Sequence, residues 1–173
     1  MACADCDECG FRFSSVTVAN ASTQVELIAT RYRHVLTANA ENSRLRRRPA
    51  ERVWSPLEYA AHLRDVLLLF GRRVDAILQE FEPQLEVVSH DDEVARGKYN
   101  QLDVPVLTEQ LSAAARGLAV GLEGLHPEEF ARRGFRNDEA RTVLEIAQRA
   151  VHESYHHLVD IERGLGLPGT ANP

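Results

Sequence analysis

Four long stretches of this chain carry apolar residues three and four positions apart, and this spacing constrains the fold more than any other feature. Each stretch forms an apolar stripe when helical, and the stripe has to be buried against other helices. The first covers about 22–40, and the second begins at Pro56 and carries its stripe as far as Phe81. The third begins near Val104 and the fourth at Thr142. No segment shows strand alternation, so the sequence predicts an all-α protein, a four-helix bundle.

Capping signals mark the start of two of these helices. Ser55 is a suitable N-cap, and Glu58 three residues later completes a capping box. Thr142 and Glu145 repeat the pattern before the fourth helix.

The long connection before the third helix permits a crossover, and its segment 87–104 is long enough to line a site.

The bulk composition excludes several classes of partner. The chain has 173 residues, a formal net charge of −6, 44% hydrophobic and 27% charged residues, which is typical of a soluble globular domain. The negative charge argues against a nucleic-acid partner. No apolar stretch approaches the ~20 residues that span a bilayer. The acidic first ten residues do not resemble a secretory leader, so we expect a cytoplasmic protein with reduced cysteines. The four arginines within 44–48 are predicted to lie in a solvated connection between helices.

The fourth helix contains three histidines, and its periodicity separates them. Helical residues advance by about 100° each. His152 and His156 therefore fall opposite the apolar stripe, whereas Glu153 and His157 flank it, one turn apart. The inward pair is thus predicted to be Glu153 and His157, which can share a divalent metal.

A third ligand has to come from another helix. His62 lies at the edge of the apolar stripe of the second helix. Together with Glu153 and His157 it would form a site of two imidazoles and one carboxylate that leaves a position open for water or substrate. A hydrogen-bonded structural histidine and a surface Glu–His pair are the alternatives. No catalytic residue is predicted.

Two segments carry a family resemblance. "WSPLEYAAHL" and the later "HESYHHLVDI" resemble the DinB-like superfamily of metal-binding four-helix bundles, and the similarity covers about 20–166. The closer likeness is to the branch that includes the N-terminal domain of mycothiol-dependent maleylpyruvate isomerase and related thiol S-transferases. The resemblance implies an up-down-down-up bundle, usually a homodimer.

The resemblance also implies a site and a chemistry. The metal ligands of the family match His62, Glu153 and His157, and an aspartate of the family three residues after the last of them matches Asp160. Asp160 either orients a ligand as a hydrogen-bond acceptor or is a plain surface charge. The expected metal is zinc or nickel, and the expected cosubstrate is a low-molecular-weight thiol such as mycothiol. The implied function is a metal-dependent S-transferase or isomerase acting on small electrophiles. The alternatives are a non-catalytic metal-binding or dimerising bundle and a metal-dependent hydrolase.

The N-terminus carries a separate motif. Cys3, Cys6 and Cys9 form a C-x2-C-x2-C-G pattern, and C-x2-C-G is typical of a zinc knuckle. We therefore divide the chain into a Cys-rich segment, 1–15, and the bundle, 16–168. The fourth ligand of a second metal site would be a histidine, an acidic group, a partner chain or water. The alternative is a mobile, oxidation-prone tail.

Overall fold

The computed structural model describes residues 5–89, 94 and 97–168, and within them four long helices form a bundle. These helices are α1 (Ala21–Ala38), α2 (Pro56–Gln79), α3 (Val104–Leu122) and α4 (Val143–Leu165). The shorter elements are 3-10 turns at Phe13–Ser15 and Tyr99–Gln101, a one-turn helix at Pro127–Phe130, and strands β1 (Arg133–Arg136) and β2 (Glu139–Thr142). The predicted all-α four-helix bundle is confirmed. None of the helices described is long and apolar enough to span a bilayer.

The directions of the first three helices follow from contacts at their ends. The hydroxyl of Ser22, at the start of α1, donates to the carbonyl of Ala119, near the end of α3, at 3.0 Å. These two helices are therefore antiparallel. Ser55, which caps α2, contacts the side chain of Asn100, just before α3, at 2.6 Å. The starts of α2 and α3 thus lie together, and these two helices are parallel.

Helix α4 completes the arrangement. A Cβ atom on Gly164, near the end of α4, would lie 2.8 Å from Cγ of Pro56 at the start of α2. Helix α4 is therefore antiparallel to α2 and parallel to α1, which is the expected up-down-down-up order. Helices α1 and α2 each pack against both α3 and α4. The metal-ligand candidates lie on the α2–α4 pair.

Both predicted capping boxes are present. The Ser55 hydroxyl accepts from the amide of Glu58, whose carboxylate accepts from the Ser55 amide. Thr142 and Glu145 do the same at α4. Helix α4 ends at Gly166 in the left-handed conformation with φ 75°. The caps thus fix the first and last residues of α4, Val143 and Leu165.

Two sequence predictions about the fold were wrong. Helix α2 ends at Gln79, and Phe81, which was assigned to its apolar stripe, is 90% exposed. The chain turns after the helix and buries Leu85 instead, whose amide donates to the carbonyl of Phe135. The β1–β2 hairpin was not foreseen, since strands of four residues are too short to show alternation. The four arginines within 44–48 are exposed in the connection between α1 and α2, as predicted, and Arg48 also forms a two-bonded ion pair with Glu58.

Candidate metal centre

His62 of α2 and Glu153 and His157 of α4 converge where these two helices pack. One ligand atom from each lies within 4.8 Å of the others. Glu153 Oε2 lies 3.3 Å from His157 Nε2. A tetrahedral cation with ordinary bond lengths would separate a nitrogen from an oxygen ligand by about 3.4 Å. The three side chains that the periodicity selected are thus close enough to share one ion.

The orientation of His157 suits a metal ligand. Its Nδ1 lies 3.3 Å from Oδ2 of Asp160, one turn along the helix. When Nδ1 carries the proton toward that carboxylate, the lone pair of Nε2 points into the cluster. Nε2 is buried and makes no hydrogen bond within the described part of the chain. A buried imidazole nitrogen next to a carboxylate and a second imidazole fits a divalent cation.

The electrostatics of the cluster favour an ionised carboxylate. Burial would raise the pKa of Glu153, but the imidazoles of His152 and His157 outweigh it and lower that pKa well below its ordinary value. Burial would lower the pKa of His157, but Asp160 and Glu153 outweigh it and raise that pKa. Glu153 is thus ionised, and His157 has to lose the proton that its raised pKa favours when its Nε2 binds a cation.

Two aromatic side chains lie against the imidazoles. The ring of Trp54 lies 5.0 Å from His62, and the ring of Tyr59 lies 5.1 Å from His157. Burial raises the pKa of Tyr59, so its hydroxyl stays protonated. Sequence reasoning missed both as parts of the site. Helical spacing could have indicated Tyr59, because it lies three residues before His62 and therefore on the same face of α2.

A basic cavity adjoins the same carboxylate. Arg73, Arg136, Arg141 and Arg149, together with Glu153, line a space of about 180 Å³. Burial and the nearby arginines lower the pKa of Arg73. Sequence reasoning missed this cavity because its arginines come from α2, α4 and the unforeseen hairpin.

A second cluster lies on the other side of α4. Cys6, Cys9, His152 and His156 each offer one ligand atom within 4.8 Å of the others. Cys6 Sγ lies 3.9 Å from His156 Nδ1. The N-terminal segment covers these histidines, which were predicted to lie opposite the apolar stripe of α4, and Phe11 and Phe13 pack against His152. Cys3 lies outside the described residues.

The two described cysteines lie in a tight turn. The amide of Gly10, whose φ is 71°, donates to the carbonyl of Cys6, and the amide of Cys6 donates to that of Phe11. The backbone amide of Cys9, followed by His152, lowers the pKa of the Cys6 thiol to about 6. Burial raises the pKa of the Cys9 thiol. The turn therefore favours the thiolate form of Cys6.

The fold and the cluster define a class: an up-down-down-up four-helix bundle with two imidazoles and one carboxylate brought together by α2 and α4. The chain belongs to the DinB superfamily, whose family model matches residues 24–161. The resemblance found in the sequence is thus confirmed. A comparison with curated proteins finds no significant match.

Two solved structures share this fold. YfiT from Bacillus subtilis, described as a probable metal-dependent hydrolase with an unusual four-helix bundle topology, matches with a TM-score of 0.73 and 18% identity over 85% of this chain and 89% of that one. A mycothiol-dependent maleylpyruvate isomerase, solved as a mutant with one histidine replaced by alanine, matches with a TM-score of 0.71 and 15% identity over 92% of this chain. The match spans 65% of the isomerase, less than two thirds of its length.

Proposed function

We propose that this protein binds one divalent cation, zinc or nickel, through His62, Glu153 and His157 and uses it in thiol-dependent transfer or isomerisation of small electrophiles. The observation that carries the proposal is the convergence of these three ligand atoms within 4.8 Å. Three protein ligands leave a coordination position open, which is typical of catalytic rather than structural zinc. When bound there, a divalent cation would lower the pKa of a thiol and so provide a nucleophile at neutral pH.

The side chains of this chain have separable tasks in that proposal. His62 and His157 are neutral ligands and Glu153 supplies negative charge. Asp160 holds the tautomer of His157 through Nδ1. Trp54 and Tyr59 form an apolar wall beside the imidazoles that would exclude water from the substrate. A low-molecular-weight thiol of the mycothiol type would be the cosubstrate, by likeness to the isomerase.

A metal-dependent hydrolase is the second candidate function. It is supported by the likeness to YfiT, which is described in those terms. The same ligand set would then activate water instead of a thiol. A bundle that binds metal without catalysis is the remaining alternative. The homodimer and the cytoplasmic location stay predictions.

Metal analysis of purified variants tests the ligand set. We expect His157→Ala and His62→Ala each to lose about one equivalent of metal per chain relative to the wild type. His34→Ala, which removes an exposed histidine of α1, is the matched control and should lose none. Unchanged metal content in His157→Ala would refute the site.

Activity assays then separate the candidate functions. Turnover of a model electrophile that requires an added thiol and is lost in His157→Ala would support the transferase. Hydrolysis of an activated ester without thiol would support the hydrolase. Full metal occupancy with neither activity would support the non-catalytic bundle.

A further inference from the structure

We propose that Cys6, Cys9, His152 and His156 form a second, structural zinc site that fastens the N-terminal segment onto α4. The four ligand atoms lie within 4.8 Å of one another. Two belong to the N-terminal segment and two belong to α4. The site is distinct from the cluster of His62, Glu153 and His157, with which it shares no ligand.

The geometry is close to that of a tetrahedral zinc ion. Bond lengths of about 2.3 Å to sulfur and about 2.0 Å to nitrogen place a sulfur and a nitrogen ligand about 3.5 Å apart. The distance from Cys6 Sγ to His156 Nδ1 is 3.9 Å. Nε2 of His152 is buried and accepts or donates no hydrogen bond among the residues described. The other pairs of ligand atoms lie within 4.8 Å, so they would approach by up to roughly 1 Å around an ion.

The donor set selects zinc and a structural role. Two thiolates and two imidazoles are a common ligand set of structural zinc, and four protein ligands leave no position for substrate. The turn after Cys6, closed by the amide of Gly10, has the C-x2-C-G form, and the two sulfurs lie within 4.8 Å of each other. The two histidines are one helical turn apart on α4, which aligns them toward the same ion.

Apolar packing already holds the segment against α4. Phe11 and Phe13 are buried, and their rings lie 5.6 Å and 5.0 Å from the ring of His152. The ring of Phe11 also lies 5.6 Å from that of Tyr155. This packing brings the cysteines to the histidines before any ion binds, so little ordering would oppose zinc binding.

Two carboxylates connect the second cluster to the first. Glu153 lies 3.7 Å from His152 Nδ1 through one oxygen and 3.3 Å from His157 Nε2 through the other. Asp160 Oδ2 lies 3.9 Å from His156 Nε2 and 3.3 Å from His157 Nδ1. Zinc on the histidines of the second cluster would therefore also help to hold these two carboxylates in place.

Cobalt substitution tests the second site with a signal that the first site cannot produce. Tetrahedral cobalt bound by thiolate has a near-ultraviolet charge-transfer band, and the first cluster contains no sulfur. We expect the band in wild-type protein and its loss in Cys9→Ser, with about one equivalent of metal lost as well. Cys3→Ser is the matched control and should keep both.

The outcomes distinguish this proposal from the function proposed above. His157→Ala should keep the cobalt–thiolate band while losing the metal of the first cluster. Absence of the band from cobalt-loaded wild type would overturn the second site. If Cys3→Ser and Cys9→Ser lost the band equally while His156→Ala kept it, the ligands would include Cys3 and not the histidines. That result would also overturn the proposal.

The arginine-lined cavity beside Glu153 supports a second proposal, which rests on the proposed function. We infer that it binds an oxyanion group of the substrate, a carboxylate or a phosphate. Four arginines line the cavity of about 180 Å³, and Glu153 is the one carboxylate in its lining, so the positive charges outnumber the negative ones. Among the described residues, no carboxylate forms an ion pair with Arg73 or Arg136.

The positive charge of the cavity lies next to the candidate metal centre, where it could bind an anionic group of the substrate. Arg73 is 9% exposed and is held by bonds from its guanidinium to the carbonyl of Glu86, so its charge is fixed in a partly dehydrated place. Guanidinium groups bind carboxylate and phosphate through paired hydrogen bonds. Because Glu153 lines this cavity as well as the metal cluster, an anion bound here would lie beside the cation.

Calorimetric titration with succinate and, separately, with inorganic phosphate tests the cavity. We expect Arg136→Gln to weaken binding about 10-fold or more, because it removes a charged donor. Arg133→Gln, on the same strand but paired with Glu82 outside the cavity, is the matched control and should bind normally. Preference for succinate or for phosphate identifies the anionic group.

The same titration on His157→Ala separates this cavity from the metal site. Anion binding that survives in that variant supports the cavity even if the proposed metal chemistry fails. No binding by wild type, or equal weakening in Arg136→Gln and Arg133→Gln, would overturn the proposal.

Discussion

His157 Nδ1 lies 3.3 Å from Oδ2 of Asp160, so that a carboxylate one turn along α4 orients an imidazole of the candidate metal centre. Partners of this kind fix the tautomer of a ligating histidine, and their loss commonly costs about 10- to 100-fold in metal affinity. We therefore expect Asp160→Asn to weaken metal binding at the first site by about 10-fold or more. Competition with a chromophoric chelator measures the affinity.

Arg163→Ala is the control for this prediction. Arg163 contacts the other oxygen of Asp160 at 3.5 Å, but its side chain is 74% exposed. Because exposed ion pairs contribute little, its removal should leave the metal affinity nearly unchanged. An Asp160→Asn variant with wild-type affinity would show that the carboxylate does not orient the ligand.

The charge of Glu153 supports a second prediction. Glu153→Gln keeps the size of the side chain but removes the negative charge that faces two imidazoles. We expect it to lose most of the metal of the first site, whereas Glu153→His, which replaces the carboxylate with another nitrogen ligand, should retain metal. Metal content after dialysis measures both, and equal retention by Gln and His variants would contradict the ligand role.

The sequence predicted the first cluster because its signal is local. Helical spacing alone places Glu153 and His157 on one edge of α4, and His62 lies on the matching edge of α2. The second cluster could not be predicted in full, because Cys6 and His156 are 150 residues apart. No pattern within either segment indicates that the N-terminus folds back onto the polar face of α4.

The pH dependence of stability should depend in part on Glu58. Burial would raise its pKa, but Arg48 and the amide of Ser55 outweigh burial and lower it. A carboxyl with a lowered folded pKa stabilises the protein above its unfolded pKa, and this contribution disappears as the pH falls through the folded pKa. We expect Glu58→Gln to cost about 1–2 kcal/mol near neutral pH, because it removes a cap and an ion pair.

Urea denaturation at several pH values checks this prediction. The difference in unfolding free energy between wild type and Glu58→Gln should shrink as the pH is lowered from about 7 to about 4. Glu26→Gln, at an exposed position of α1, should show little difference at any pH. A difference that stays constant with pH would mean that packing, and not charge, accounts for the effect.

Two glycines give opposite expectations for the same substitution. A Cβ on Gly134 in β1 would lie 2.8 Å from Cδ2 of Leu85 and 2.9 Å from the carbonyl oxygen of Pro83. That oxygen accepts a hydrogen bond from Phe135 at 2.8 Å, so it cannot move away without breaking the contact that holds the hairpin against the end of α2. Gly134→Ala should therefore destabilise the protein by about 1–3 kcal/mol.

Gly71 is the matched control for this steric prediction. It lies inside α2, and a Cβ there would meet nothing within 4 Å. Since alanine is favoured over glycine in a helix interior, Gly71→Ala should stabilise the protein by about 1 kcal/mol. Midpoints of chemical denaturation measure both variants. If Gly134→Ala proved as stable as wild type, the hairpin would have to be free to shift away from Pro83, and the arginines that it contributes to the cavity beside Glu153 would not be held in place.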